Sequence, residues 1–474
     1  MENLIEFLHA FSSVLWSPVT LGFILLTGLI LTIQTKWLAI TKIKLIWEHT
    51  FGSMNKKGSG EGEISPFQAL ATAISACLGV GTIVGVATAI ATGGPGAVFW
   101  MWFAGFLSIA TKFSELTLAV HFRVKNNVGE WVGGPMYYAS RGLKGRFGKI
   151  LAMIFSVSVA IAAIGIGNMV QANAVAGALE SAFGFTGQRL WIGIVFAVLV
   201  AASTLGGVKR IAAVAEKTFP ISTGIVMIIS IIGIIVNIDV VPQAFVYIFR
   251  GAFTPQAAGG GFLGAGVATA MRLGIARGLF SNEGGLGSAP IAHASATTDH
   301  PVKQGLWGAA EVFIDTHVVC TLVALVIITS GAWMYTDASC YGLTASPLVL
   351  AAYDSVIPFG GMLMAVGITL FGVTTMIGWG IYGEKGLEYL FGPKTNLLYR
   401  LIWLPPIVIG ASGNVALVWA FADVFNSFML IPNLITLLAL SGLISRLLSD
   451  FLDGKPYTSY YDSEEGQKDT GGII

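Results

Sequence analysis

The chain has 474 residues, of which 55% are hydrophobic and only 11% charged, with 26 Lys and Arg against 25 Asp and Glu. A soluble domain carries roughly 25% charged residues, so the composition excludes a soluble domain and gives a polytopic membrane protein; the chain is expected to be all-α, with no nucleic-acid partner. Cys77, Cys320 and Cys340 have neither metal nor disulfide spacing and read as small packing residues.

The first residues, Met-Glu-Asn-Leu-Ile-Glu, are acidic and lack the basic region of a signal peptide. About 20 apolar residues span a bilayer. By that ruler eleven spans are expected, at about 15–36, 66–91, 97–121, 148–180, 188–206, 212–236, 261–297, 304–331, 359–383, 397–412 and 414–448. The segment 148–180 exceeds an upright span, so it tilts or overruns the membrane. Lys and Arg set the orientation. They crowd the loops after spans one, three, five and nine and the C-terminal tail, for example Lys42, Lys44, Arg141, Lys144, Lys209, Arg210, Lys385 and Arg446. The alternate loops are nearly empty of them. This predicts an N-terminus outside and a C-terminus in the cytoplasm of a cell-membrane protein.

Two spans are interrupted. Residues 277–297 carry Arg277, Asn282, Glu283, four glycines and Pro290 between apolar flanks. Residues 77–82 read Cys-Leu-Gly-Val-Gly-Thr. Irregular backbone at membrane depth survives only when buried in protein or lining a cavity. With span one set aside, spans two to six and seven to eleven form two groups of five, each opening on a broken helix. An odd number per group forces opposite orientations, which is the inverted-repeat plan of secondary transporters working by alternating access. The expected organisation is an extra N-terminal helix and loop (1–65), a first repeat (66–237), an extracellular connection (238–260), a second repeat (261–448) and a disordered cytoplasmic tail (449–474).

A zwitterionic amino acid needs backbone N–H groups at a helix N-terminus for its carboxylate and carbonyls for its ammonium. The second half of span two, starting near Gly81–Thr82, offers the first. The first half of span seven, ending near Ala276–Phe280, offers the second. The same carbonyls, with hydroxyls, suit Na+. Gly93, Gly94 and Gly105 are read instead as close helix packing. Gln171, in Gly-Asn-Met-Val-Gln-Ala-Asn, is a candidate substrate contact, with interhelical bonding the alternative for it, Asn168 and Asn173. Thr374, Thr375 and Trp379 place two hydroxyls beside an indole, although threonines in helices also bond back to their own carbonyls. The ionisable pairs Lys112/Glu115 and Glu311/Asp315 have helical spacing and are read as structural pairs, with proton relay by Glu283 or Glu311 open. His293 and His300 lack metal-ligand spacing, and no Walker lysine follows the glycines.

Several stretches resemble the alanine or glycine:cation symporter family, also called sodium:alanine symporters. They are Gly-Val-Ala-Thr-Ala-Ile at 85–90, Thr-Lys-Phe-Ser-Glu at 111–115, Gly-Gly-Pro-Met-Tyr-Tyr at 133–138, the Gln171 motif, residues 276–293, Glu-Val-Phe-Ile-Asp-Thr at 311–316 and residues 382–392. The resemblance implies a leucine-transporter-type five-plus-five inverted repeat with one extra N-terminal helix. It implies Na+-driven uptake of alanine or glycine, with no enzyme activity, no cofactor beyond Na+ as coupling ion and no obligatory protein partner. Coupling to H+, or carriage of glutamine or another neutral amino acid, is the alternative. Carried over by residue, the substrate site would use Gly79, Val80, Gly81, Thr82, Gln171, Phe280, Asn282, Thr375 and Trp379, and the sodium site Ser75, Leu78, Thr374 and Thr375. Family members usually read Gly-Thr-Gly-Asn at the first break. Val80 and Thr82 keep the backbone donors but replace that hydroxyl and amide.

Overall fold

A computed structural model of the chain describes residues 8, 11, 15–54, 58–254, 266–335, 346–413 and 415–463, with 415–423 as backbone alone. The expectations for 255–265, for Cys340 and for 464–474 fall outside the described residues.

The helices in chain order are α1 (Pro18–Gln34), α2 (Leu38–Thr41), α3 (Ile43–His49), α4 (Pro66–Cys77), α5 (Val80–Gly93) and α6 (Gly96–His121). A hairpin of β1 (Val124–Lys125) and β2 (Trp131–Val132) precedes α7 (Pro135–Gly142). Next come α8 (Arg146–Ala162), a π-helical turn (Ala163–Met169), α9 (Val170–Phe183), α10 (Arg189–Thr204), α11 (Gly207–Val236) and α12 (Val241–Phe253). The second half holds α13 (Val267–Asn282), α14 (Ala289–His293), α15 (Pro301–Val312), a second π-helical turn (Phe313–Cys320) and α16 (Thr321–Thr329). It ends with α17 (Ser346–Asp354), α18 (Gly360–Phe391), α19 (Asn396–Ile402), α20 (Leu404–Ser412), α21 (Val415–Ala439) and α22 (Ser441–Leu452).

Six helical stretches among the described residues are long and apolar enough to cross a membrane: Pro66–Gly93, Gly96–His121, Arg146–Phe183, Gly207–Val236, Pro301–Thr329 and Gly360–Phe391. The pair 424–439 and 441–452, bent by 59°, makes a seventh candidate. Other apolar segments are shorter or interrupted: α13 stops at Asn282, and Trp403 separates α19 from α20. The segment 148–180 is one 38-residue helix, Arg146–Phe183, that absorbs a π turn.

Local chemistry sets the broken helices. Ser65 and Gln68 form a reciprocal capping box with Pro66 in the first turn, which fixes where α4 starts. At its other end Gly79 is extended (φ −116°, ψ −152°), so the first helix breaks for two residues only and restarts at Val80. Arg123 is buried and donates to the carbonyls of Glu61 (2.7 Å), Ala294 (3.1 Å), Ala296 (2.6 Å) and Thr298 (3.3 Å). Strand-like bridges join Glu61 to Thr298 and Ile64 to Ala296. The chain entering α4 is thereby tied to the chain leaving α14. At the opposite end, Gly93 of α5 lies against Ala270 of α13. The two broken helices therefore run antiparallel, α4 beside α14 and α5 beside α13.

Five short helices, α2, α3, α7, α12 and α17, occupy segments the sequence leaves as loops. The tail also differs from its expected disorder as far as it is described. Tyr460 N donates to His121 O (3.3 Å), the Tyr457 hydroxyl lies 3.0 Å from His121 Nδ1, and Tyr461 meets the Trp131 ring edge-on. Three aromatic side chains give residues 457–461 enough apolar surface to dock on the end of α6 and the hairpin.

Candidate binding site between two broken helices

At the first break, Val80 N donates to Gln171 Oε1 (3.1 Å). Gln171 Nε2 donates to Ile166 O (3.1 Å), five residues back. The wider π turn leaves that carbonyl without its usual i+4 partner, so the turn orients the glutamine toward the break. The Thr375 hydroxyl donates to Ser75 O (3.0 Å). Gly79 sits between these side chains: a Cβ there would lie 2.7 Å from Thr375 Oγ1 and 2.9 Å from Gln171 Oε1. Gly79, Val80, Gln171, Thr375 and Ser75 thus form one cluster, as the sequence suggests.

Gly81 faces the second break. A Cβ at Gly81 would lie 3.2 Å from Phe280 O and 3.3 Å from its ring, so the start of α5 and the end of α13 meet. Helix α13 ends at Asn282, two residues beyond the expected Phe280. The Asn282 Oδ1 accepts from Gly284 N (2.9 Å), and its Nδ2 donates to Thr316 Oγ1 (3.0 Å). Asn282 therefore shapes the break and joins it to the second π turn. Glu283 adopts a left-handed conformation (φ 54°). Its carboxylate accepts from Trp379 Nε1 (3.0 Å) and from the Ser288 hydroxyl.

The expected cation ligands divide. Ser75 and Thr374 both line a narrow crevice with Thr72, Gly378 and residues of α11. Ser75 Oγ is buried and has no hydrogen-bond partner among the described residues. Thr374 donates to Phe371 O (3.0 Å) on its own helix, which leaves its lone pairs as acceptors. Leu78 terminates α4, its N–H donating to Ile74 O (2.7 Å).

Thr82 has a partner that the sequence reading did not give it. Its hydroxyl donates to Asp315 Oδ1 (2.8 Å), and Ser281 Oγ lies 2.8 Å from both Asp315 oxygens. Thr316 Oγ1 donates to Asp315 Oδ2 (2.9 Å). Asp315 is fully buried among hydroxyls where both breaks meet. Ser281 carried no sequence signal, since a lone serine in a helix has none.

The ionisable pairs are rearranged relative to expectation. Lys112 pairs across helices with Glu311 (3.2 Å), both fully buried. Glu115 accepts from Asn433 of α21 (2.6 Å), which also donates to Gly285 O (2.8 Å). Glu311 further meets His293 Nε2 (3.5 Å) and Cys77 Sγ (3.6 Å). It links the end of α4 to the end of α14. Spacing along one helix could not reveal partners on its neighbours.

The model of the sodium:alanine symporter family matches residues 1–462. The chain belongs to that family. The sodium/alanine symporter AgcS of Methanococcus maripaludis is 41% identical over 443 residues, covering 93% of this chain and 96% of its own. YflA of Bacillus subtilis, an uncharacterized transporter, is 40% identical over 458 residues, covering 96% and 95%. The probable sodium/glutamine symporter GlnT of the same organism is 37% identical over 456 residues, covering 95% and 91%. A manganese transporter of Eremococcus coleocola shares the fold, with a TM-score of 0.52 at 15% identity over 85% of this chain and 93% of that one. The family consists of Na+-coupled amino acid symporters, so the chain is a multi-pass membrane transporter and not an enzyme. Ser75, Thr374 and Thr375 bring hydroxyl and carbonyl oxygens together beside the first break.

Proposed function

We propose that the protein couples Na+ influx to uptake of a small neutral amino acid, alanine or glycine, across the cell membrane. The observation that carries this reading is the shared use of Gly79. The residue lies against both Thr375, whose hydroxyl meets Ser75 O, and Gln171, whose amide meets Val80 N. A cation held by Ser75, Leu78, Thr374 and Thr375 and an amino acid carboxylate at the start of α5 would read the same two residues of unwound chain. Each ligand then favours the geometry the other needs, which is the linkage symport requires. Gln171 and Phe280 flank that carboxylate site, Gly81 and Thr82 contribute α5 backbone, Trp379 of α18 closes it, and Asn282 holds the second break behind it. The antiparallel course of the broken helices supports eleven spans in a five-plus-five inverted repeat after α1. The Lys- and Arg-rich loops support a cytoplasmic C-terminus.

Asp315 favours a second reading. A buried carboxylate that accepts from the hydroxyls of Thr82, Ser281 and Thr316 is a fitting proton acceptor, which would make H+ the driving ion. Uptake of labelled alanine into proteoliposomes decides between them. The proposal expects an inward Na+ gradient to stimulate uptake and K+ substitution to remove it. Uptake driven by a pH gradient without Na+ would overturn it in favour of Asp315. A panel including glycine and glutamine identifies the substrate.

A further inference from the structure

The first π turn does more than orient Gln171. Gly167, one turn before Gln171, faces Trp379, one turn after Thr375. A Cβ at Gly167 would fall 2.2 Å from Trp379 Cβ and 2.3 Å from its Cγ. The ring system is fixed from two further sides. Its Nε1 donates to Glu283 at the second break (3.0 Å), and it packs T-shaped with Tyr382 at 5.4 Å between centroids. Trp379 is 1% exposed. Gln171 and Thr375 form one layer of the site with Gly79 of the first break, and one turn along the same two helices Gly167 and Trp379 form the next layer with Glu283 of the second break.

We infer that Gly167 and Glu283 are positioning residues that set substrate size by holding the Trp379 indole as the wall of the side-chain pocket. This rests on the proposed function of the same site. The π turn carries both jobs: Ile166 O turns the glutamine that reads the α-carboxylate end, and Gly167 seats the tryptophan that limits the side chain. Glu283 sits at a left-handed residue, where a non-glycine side chain is uncommon, and its two oxygens bind the indole and the Ser288 hydroxyl. Its role is therefore to connect the unwound segment to α18 and to keep the indole from turning.

The test is a competition series in proteoliposomes, with labelled alanine against unlabelled glycine, 2-aminobutyrate and valine. Wild type is compared with Glu283→Ala, Glu283→Gln and Trp379→Phe. The half-saturating Na+ concentration is recorded alongside. Freed of its acceptor, the indole yields space, so Glu283→Ala shifts the ratio of alanine to 2-aminobutyrate affinity about tenfold toward the larger amino acid, the scale of one methylene in an apolar pocket. Trp379→Phe shifts it the same way. Glu283→Gln keeps an amide oxygen for the indole N–H and restores the wild-type ratio. Variants that lower the transport rate while every affinity ratio stays at the wild-type value would overturn the inference and leave the functional reading intact. A wild type that moves none of these amino acids overturns both. If Glu283→Ala fails to fold, Ser288→Ala decides, because it removes the hydroxyl that holds the Glu283 carboxylate and leaves the indole itself unchanged; a shift of the ratio toward the larger amino acid supports the inference, and an unchanged ratio overturns it.

Discussion

The two breaks solve the same problem in opposite ways. The first spans only Leu78 and Gly79, has no polar side chain of its own, and borrows Gln171 and Thr375 from other helices. The second runs from Glu283 to Ser288 and carries polar side chains of its own that brace it. Asn282 bonds Gly284 N, Ser288 bonds Glu283, and Gly285 and Gly287 take positive φ angles of 91° and 81°. Asn433 then ties Gly285 O to α21. An unpaired backbone group in lipid costs several kcal/mol, so neither break can be left bare. The first break answers with partners a ligand can displace, whereas the second answers with a built-in bracket. The contrast assigns ligand reading to the first break and rigidity to the second.

Filling the first break gives the largest expected effect on uptake. Gly79→Ala needs no unusual φ, yet its methyl group occupies the space between Thr375 and Gln171. Uptake should fall on the order of 100-fold, the cost of displacing reacting or binding groups by about an ångström, while the unfolding temperature in detergent moves little. A comparable loss of stability and uptake would show that the first break is structural. Next is the ion pair that joins α4 to α14 through Glu311. Lys112→Met leaves a buried carboxylate without its cation and should destabilise by about 3–5 kcal/mol. Adding Glu311→Gln should recover most of that, which thermal unfolding of the double variant checks.

The second break should respond as a bracket does. Asn282→Ala frees Gly284 N and Thr316 Oγ1, and about 1–3 kcal/mol of stability is expected to go with them, with substrate affinity following only as far as the fold loosens. A selective loss of affinity at unchanged stability would blur the distinction between the breaks. The smallest effect belongs outside both. Lys385 lies 2.9 Å from Glu130 in the hairpin turn. Burial pushes the Glu130 carboxyl up, but the Lys385 ammonium and the Lys385 and Asn126 hydrogen bonds outweigh it and hold the group below its usual value. A depressed carboxylate pKa stabilises the fold above the unfolded value and ceases to as pH falls through the folded one. Glu130→Gln should therefore cost less than about 1 kcal/mol at neutral pH, and the difference from wild type should vanish in acid.

Both breaks were legible in the sequence, because glycine, proline and charge in an apolar span have few other uses. The cluster at Gly79 followed from the same signal, as did its partners Gln171 and Thr375, polar residues where lipid forbids them. The π turns were not legible. Ala163–Met169 reads as ordinary helix, and its consequences, the Ile166 carbonyl for Gln171 and the Gly167 seat for Trp379, exist only in three dimensions. Asp315 was visible as an intramembrane charge, but helical spacing pointed to Glu311, while its partners came from α5 and α13. The short helices α2, α3, α7, α12 and α17 escaped because four to thirteen residues between spans are too few for a periodic signal to separate from loop.

The central claim is that cation and amino acid share the unwound backbone at Gly79, and equilibrium binding to the purified protein tests it most directly. Alanine affinity would be titrated across Na+ concentrations at constant ionic strength with K+, in wild type and Thr375→Ala. The account predicts that Na+ tightens alanine binding, that alanine tightens Na+ binding by the same factor, and that Thr375→Ala abolishes both effects. Alanine binding of equal strength in Na+ and K+ would contradict it.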